Sequence, residues 1–185
     1  MFYETIKRVF DFVLALVTLF VLAPLLFTIG LTIKLTSYGP IIHWSRRIGR
    51  NNEEFLMAKF RSMLVDTPQV ATHLMQSPKE FLTPVGGFLR KSSLDELPQL
   101  INIVWGDLSV VGPRPMVLNT YAHYPEEARH KLNTIRPGLT GIGSIVFRDE
   151  ERYLADRDEP MEFYREHIIP YKSDLELWFV ENNTL

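Results

Sequence analysis

The chain has 185 residues, 46% of them hydrophobic and 23% charged, which suits one domain with a substantial core rather than two. A net charge of −2 gives no whole-molecule attraction to nucleic acid, and the lack of cysteine excludes disulfides, thiolate metal sites and a cysteine nucleophile without requiring a reducing compartment. Charge is unevenly spread: residues 1–100 hold 11 Lys+Arg against 8 Asp+Glu, and residues 101–185 hold 9 against 14, so the basic excess travels with the N-terminal part.

From Phe12 to Ile33 the run FVLALVTLFVLAPLLFTIGLTI carries no charge for 22 residues. A continuous helix of that length would be roughly 33 Å long, enough to cross the hydrocarbon core. Apolarity on every face argues against a buried core helix. The run is longer than an ordinary signal-peptide core, and Pro24 follows the small Ala23 where cleavage would be sought. The segment therefore belongs to a membrane. Pro24 removes a helix hydrogen bond and leaves two pieces each too short to cross alone. Both flanks are basic, with Lys7 and Arg8 before and Lys34, Arg46, Arg47 and Arg50 after. That favours the cytoplasm for both ends, as in a re-entrant hairpin, but a single span stays open on these grounds. Asp11 stands three residues after Arg8, at a helical pairing distance.

Residues 37–40, SYGP, read as a turn, and residues 41–61 as a β-hairpin: IIHW, a basic turn, then FLMAKFRSM. Residues 64–84 are polar and irregular, with three prolines. Leu97, Leu100, Ile101 and Val104 repeat at i, i+3, i+4, i+7 and predict a core-facing helix. GDLSVVGPRP reads as a turn, a short strand and a rigid loop. Residues 116–133 look helical, RPGLTG is a turn, and the C-terminal third is charged, aromatic and helical.

The chemistry centres on SSLDELPQL, residues 92–100. Ser93-Leu94-Asp95-Glu96 fits a capping box in which Glu96 closes back on the Ser93 backbone. Pro98 sits badly inside such a helix, and a helix starting nearer to it would leave both acids facing unpaired N–H groups, ionised and able to attack. Capping and catalysis both remain open from this stretch alone. Cationic loops surround the question. Period two places Lys59 and Arg61 of KFRSM on one strand face. Arg114 lies between two prolines in GPRP, Arg136 precedes a Pro-Gly turn, and Arg90 and Arg148 add two more. Arginine forks match phosphate oxygens in two-point contacts, so several in rigid loops beside a membrane segment point to a diphosphate site. The D-x-D pattern at Asp156 and Asp158 lies in an acidic stretch and reads as a solvated charge run. The histidines lack ligand spacing, and there is no P-loop and no G-x-G-x-x-G.

Taken in order, KRVFD at 7–11, the apolar run with Pro24, KFRSM, LRKSSLDELPQLINIVWGDLSVVGPRP at 89–115 and RPGLTG resemble the bacterial sugar transferase family, the small monotopic polyprenyl-phosphate phosphoglycosyl transferases. The resemblance covers nearly the whole chain and is to the minimal form. It implies an α+β, mainly helical fold. A re-entrant helix-break-helix at 1–36, broken at Pro24, would form one folding unit with a compact cytoplasmic domain at 37–185. That domain would carry a small β-hairpin and interfacial amphipathic helices.

The implied activity moves a phospho-sugar from a UDP-sugar to polyprenyl (undecaprenyl) phosphate on the cytoplasmic face of the bacterial inner membrane. It releases UMP and begins glycoconjugate synthesis. Asp95 would be the nucleophile that forms an aspartyl phospho-sugar, and Glu96 its partner. Mg²⁺ would sit beside Asp95 and Glu96, and Lys59, Arg61, Arg90, Arg114, Arg136 and Arg148 would contact phosphate or carboxylate. A homodimer is left open, and no nucleic acid is implied. The rival from another class is a membrane-anchored module that binds anionic lipid without chemistry. Two departures from the family pattern stand out. Ala23-Pro24 replaces the usual Ser-Pro, which removes a hydroxyl, and Ser144–Phe147 replaces a Gln-Val-x-Gly run before Arg148.

Overall fold

The computed structural model describes residues 2–67, 78–148, 150–154 and 159–182. Asp156 and Asp158 lie outside these residues, as does 68–77 of the irregular segment.

The first element, α1 (Phe2–Thr36), is a helix of 35 residues and about 52 Å at 1.5 Å per residue. It runs through Pro24, so the expected break does not divide the element. Pro24 has no N–H to give the Phe20 carbonyl. Past it, the Thr28, Thr32 and Thr36 hydroxyls donate to the carbonyls four residues back, at 2.8, 2.8 and 2.7 Å, a pattern that accompanies bent helices. A hydroxyl thus does serve this region, supplied by Thr28 to the Pro24 carbonyl instead of by position 23.

The helix α1 is seated on the rest of the molecule along two stretches, with Leu19 and Leu26 partly buried against the same two cores. Asp11 and Ala15 are buried at one end, and Ile29, Gly30 and Ile33 at the other, with none buried from 16 to 28. Ala15 joins a core with Met57, Leu100, Ile103 and Leu108, while Ile29 and Ile33 join Phe60 and Leu89. Lys7, rather than Arg8, pairs with Asp11, at 2.9 Å, because the four-residue spacing aligns it better. Lys7 also donates to the Ser109 hydroxyl, which donates to Asp11 in turn. Arg8 instead donates to the Ile103 and Val104 carbonyls.

The hairpin is present as β1 (Ile42–Ile48) and β2 (Glu54–Phe60), antiparallel with His43 opposite Lys59 and Arg47 opposite Phe55. The basic residues Arg46 and Arg47 belong to the strand, leaving a shorter turn with Asn51 and Asn52 at positive φ. The helix α2 (Gly86–Lys91) leads into a 3-10 segment, Leu94–Gln99, and then α3 (Leu100–Trp105), which Gly106 ends in the left-handed conformation. The fully buried Asn102 joins α3 to the free edge of β2: its Oδ1 accepts the Ala58 N–H at 2.9 Å, and its Nδ2 donates to the Leu56 carbonyl at 2.7 Å.

RPGLTG is more than a turn. The strand β3 (Ser109–Val111) pairs in parallel with β4 (Gly138–Thr140). Glycine permits this approach, since a Cβ on Gly138 would meet the Gly112 backbone nitrogen at 2.1 Å. Between them the expected helix is two short ones, α4 (Leu118–Tyr121) and α5 (Glu126–Leu132), parted at Pro125. There follow α6 (Ile142–Val146), α7 (Glu150–Leu154), α8 (Pro160–Phe163), a π-helical turn at Tyr164–Ile168 and α9 (Ile169–Asn182). These C-terminal helices share a core of Tyr124, Ala128, Leu132, Leu154, Tyr164, Ile168 and Ile169. The fold is mostly helical, with two two-stranded sheets.

Candidate active site

Asp95 and Glu96 lie on the 3-10 segment where it runs beside β2. The chain enters through Ser93 at φ 57°, a left-handed conformation, and the capping box does not form. The Ser93 hydroxyl caps nothing; the Glu96 backbone N–H, not its side chain, meets the Ser93 carbonyl at 3.2 Å. The Glu96 carboxylate is thereby turned to the cations. Its Oε1 accepts from Lys59 Nζ at 2.7 Å and from Arg114 Nη2 at 2.6 Å. Lys59 comes from the end of β2, and Arg114 from the loop after β3.

The two carboxyls are driven apart electrostatically. Burial raises the Asp95 carboxyl above the usual range; Lys59 and Arg90 oppose this, while the charge of Glu96 adds to it. Burial acts on Glu96 too, but there Lys59 and Arg114 win and bring it down to about 2. Lys59 is lowered even though it is ion-paired: burial and the charges of Arg114 and Arg47 outweigh its attraction to Glu96. The pair is therefore a firm contact inside a region with excess positive charge. Adjacent acids whose environments separate them in this way are the mark of a site where one holds charge and the other reacts.

The structure gathers Lys59, Arg114 and Arg90 around the dyad. Arg90, in the last turn of α2, acts on Asp95 through its charge. Three other motif arginines lie elsewhere. Arg61 is 4% exposed and gives its guanidinium to the Ser37 and Tyr38 carbonyls, fastening the end of α1. Its backbone still continues the hairpin, the N–H donating to the Ile41 carbonyl at 2.9 Å, but its side chain turns to the end of α1 instead of to Lys59 and the dyad. Arg136 donates Nε to the Gly106 carbonyl at 2.9 Å, near Arg8 and Arg50. Arg148 is exposed after α6.

The sequence model of the family described as Bacterial sugar transferase matches residues 2–185. The chain belongs to the bacterial sugar transferase family. It is 38% identical over 181 residues to the UDP-glucose:undecaprenyl-phosphate glucose-1-phosphate transferase of Escherichia coli (strain K12), covering 94% of this chain and 37% of that protein. It is 37% identical over 164 residues to the undecaprenyl-phosphate galactose phosphotransferase of Salmonella typhimurium, covering 80% of this chain and 34% of the relative. With the exopolysaccharide production protein ExoY of Sinorhizobium fredii the identity is 38%, over 80% of this chain and 72% of the relative. The chain thus spans little more than a third of the first two relatives' length and most of the third's.

This family member carries two further basic residues that no motif singles out: Arg47, near Glu96, and His43, opposite Lys59. The hairpin register puts both on the face of Lys59. Burial and the neighbouring Arg114 bring the Arg47 guanidinium down to about 10, with Glu96 opposing. Arg47 donates to the Ser45 hydroxyl at 3.2 Å and the Pro115 carbonyl at 3.5 Å. Burial, then Lys59 and Arg47, lower His43. Alternation along β1 separates Arg47 from Arg46, but that signal needs the hairpin register first. Among the described residues, no group of three or more His, Cys, Asp or Glu side chains could hold a metal by itself.

Proposed function

We propose that this chain is a polyprenyl-phosphate phosphoglycosyl transferase, moving a phospho-sugar from a UDP-sugar to a membrane polyprenyl phosphate with release of UMP. The observation that carries this reading is the dyad itself: one buried, raised carboxyl next to one held ionised by Lys59 and Arg114. Lys59, Arg47, Arg90 and Arg114 outnumber the two carboxylates, and the surplus suits a diphosphate. Phosphoryl transfer depends mainly on positioning and charge neutralisation, which such a ring of cations provides.

In the first step an Asp95 carboxylate oxygen attacks the sugar-bearing phosphorus. The bond from that phosphorus to the bridging oxygen breaks, and UMP leaves with the electron pair. In the second step a phosphate oxygen of the polyprenyl phosphate attacks the same phosphorus and returns Asp95 as a carboxylate. Arg114 and Lys59 hold Glu96 throughout. The donor set fits Mg²⁺: the Asp95 carboxylate and Glu96 Oε2, both hard oxygen donors, would hold it, with phosphate and water oxygens supplying the rest. When bound, the ion would neutralise the diphosphate charge.

The same reading makes α1 re-entrant. Its two ends, near Lys7–Ala15 and Ile29–Ile33, rest on one globular unit, which supports both emerging on the same side of the membrane. Between them Phe20 and Phe27 are 83% and 73% exposed, flanking Pro24 at the turn that would lie deepest in the lipid. Exposed Tyr171 and Trp178 on α9 suit an interfacial position at the cytoplasmic face of the inner membrane.

The test of activity is UMP release from a panel of UDP-sugars with undecaprenyl phosphate and Mg²⁺; no turnover with any donor would sink the transferase reading. Topology is tested separately. Since the chain has no cysteine, Thr5→Cys and Tyr38→Cys give single labels. Both are expected to react with an impermeant maleimide from the cytoplasmic side alone, and labelling from opposite sides would establish a single span.

A further inference from the structure

The helix α9 is turned unexpectedly. Its buried positions, Ile169, Lys172, Ser173 and Glu176, follow the i, i+3, i+4, i+7 spacing of a core face, yet three of the four are polar. Tyr171 and Trp178 point outward. Lys172 has an evident partner, Glu150 at 2.7 Å, with the Phe147 and Tyr164 rings over its ammonium. Glu176 has no such pairing.

Glu176 is 2% exposed and lies behind the loop that carries Arg114. Its Oε1 accepts the Arg114 backbone N–H in a long bond of 3.5 Å. It also rests against Gly143 of α6, where a Cβ would meet Oε1 at 2.2 Å, so only glycine leaves room for the carboxyl. Its Oε2 is buried with no hydrogen-bond partner. Arg114 thus has its side chain on Glu96 and its backbone on Glu176.

We propose that Glu176 is a positioning residue that holds the Pro113-Arg114-Pro115 loop from behind, keeping the Arg114 guanidinium on Glu96, a role that rests on the transferase reading above. The flanking prolines leave Arg114 as the loop's one backbone donor between them. An acceptor at that point fixes the loop where it has least means of fixing itself.

The arrangement is sensitive to charge. Burial raises the Glu176 carboxyl to about 7, opposed by the Arg114 N–H and by Lys172. The groups acting on it are Lys172 from α9, Tyr124 from the turn after α4 and the Arg114 N–H from the loop; α6 contributes no charge. Lys172 is ion-paired with Glu150 and acts on Glu176 through its charge alone. The Arg114 N–H favours the ionised form, so the acceptor it meets is the stronger one when Glu176 is charged.

The test uses the full chain in nanodiscs and two readouts: the hydrogen-exchange protection factor at Arg114, and UMP release. Glu176→Ala is expected to lower protection about tenfold at pH 6, as for one lost hydrogen bond, and to slow turnover by a similar factor. Glu176→Gln, which keeps the acceptor and cannot ionise, is expected to match wild type on both at pH 6. Wild-type protection in Glu176→Ala, or a Glu176→Gln protection as low as that of Glu176→Ala, would overturn the role. Exchange needs no turnover, so a chain that released no UMP would refute the transferase reading while the protection factors still decided the place of Glu176.

Discussion

Asp95→Asn is expected to abolish UMP release, by at least about 10⁴-fold, without lowering the unfolding midpoint. An amide of the same shape keeps the packing of the 3-10 segment but offers no carboxylate oxygen to phosphorus. The unchanged midpoint follows from burial. The Asp95 carboxyl is raised in the folded chain, so its charge opposes folding once ionised. A group raised on folding stabilises most at low pH, and that contribution is lost as pH climbs through the folded value. At pH 8 the neutral Asn should therefore fold at least as well as wild type. Substantial turnover by the variant would remove Asp95 from the nucleophile's role. A collapsed midpoint would assign it to structure.

Glu96→Gln is expected to fail differently, losing activity and stability together. Its carboxylate is held at about 2, below the ordinary 4.5, by Lys59 and Arg114. A group lowered on folding contributes stability above its unfolded value, and loses it as pH falls from about 4.5 through about 2. The difference corresponds to about 3 kcal/mol at neutral pH. Glutamine would leave Lys59 and Arg114 facing each other and Arg47 without the carboxylate that pairs with the first two. Urea denaturation at pH 7 and pH 3 should show the gap between wild type and variant shrinking in acid. A gap that persists unchanged would mean the cations are neutralised by something other than Glu96. The two adjacent acids are thus separable at the bench: removal of one costs chemistry alone, removal of the other also costs the fold.

The sequence carries the order of these parts more clearly than their meeting places. The hairpin, the helix after Pro98 and the apolar N-terminal run are legible from local periodicity, and the dyad from its cationic setting. The arginines are where local pattern fails. Arg114, Arg136 and Arg61 all sit in rigid or turn-flanked motifs, yet only Arg114 reaches Glu96. Arg61 and Arg136 spend their guanidiniums on backbone carbonyls. Such a choice depends on where helix ends fall in space, which no spacing along the chain encodes. The parallel pairing of β3 and β4 is hidden for a related reason: three-residue strands leave no alternation to read, and contact between glycine backbones brings them together. Arg47 is visible once the hairpin register is known. Glu176 could be found only by noticing that α9 buries its polar stripe.

The fastening of α1 has a mechanical consequence. At one end Arg61 clasps the carbonyls where the helix leaves off, and Lys59 lies two strand residues away, about 7 Å at 3.3 Å per residue. At the other end Asp11 holds Ser109, and the same strand runs on into the loop of Arg114. Each latch is thus geared to one of the two cations that grip Glu96. A displacement of the helix would therefore be handed to both sides of the dyad at once. A helix of equal length and apolarity, lacking Asp11 and the Ser37–Tyr38 turn, would leave the two cations out of register.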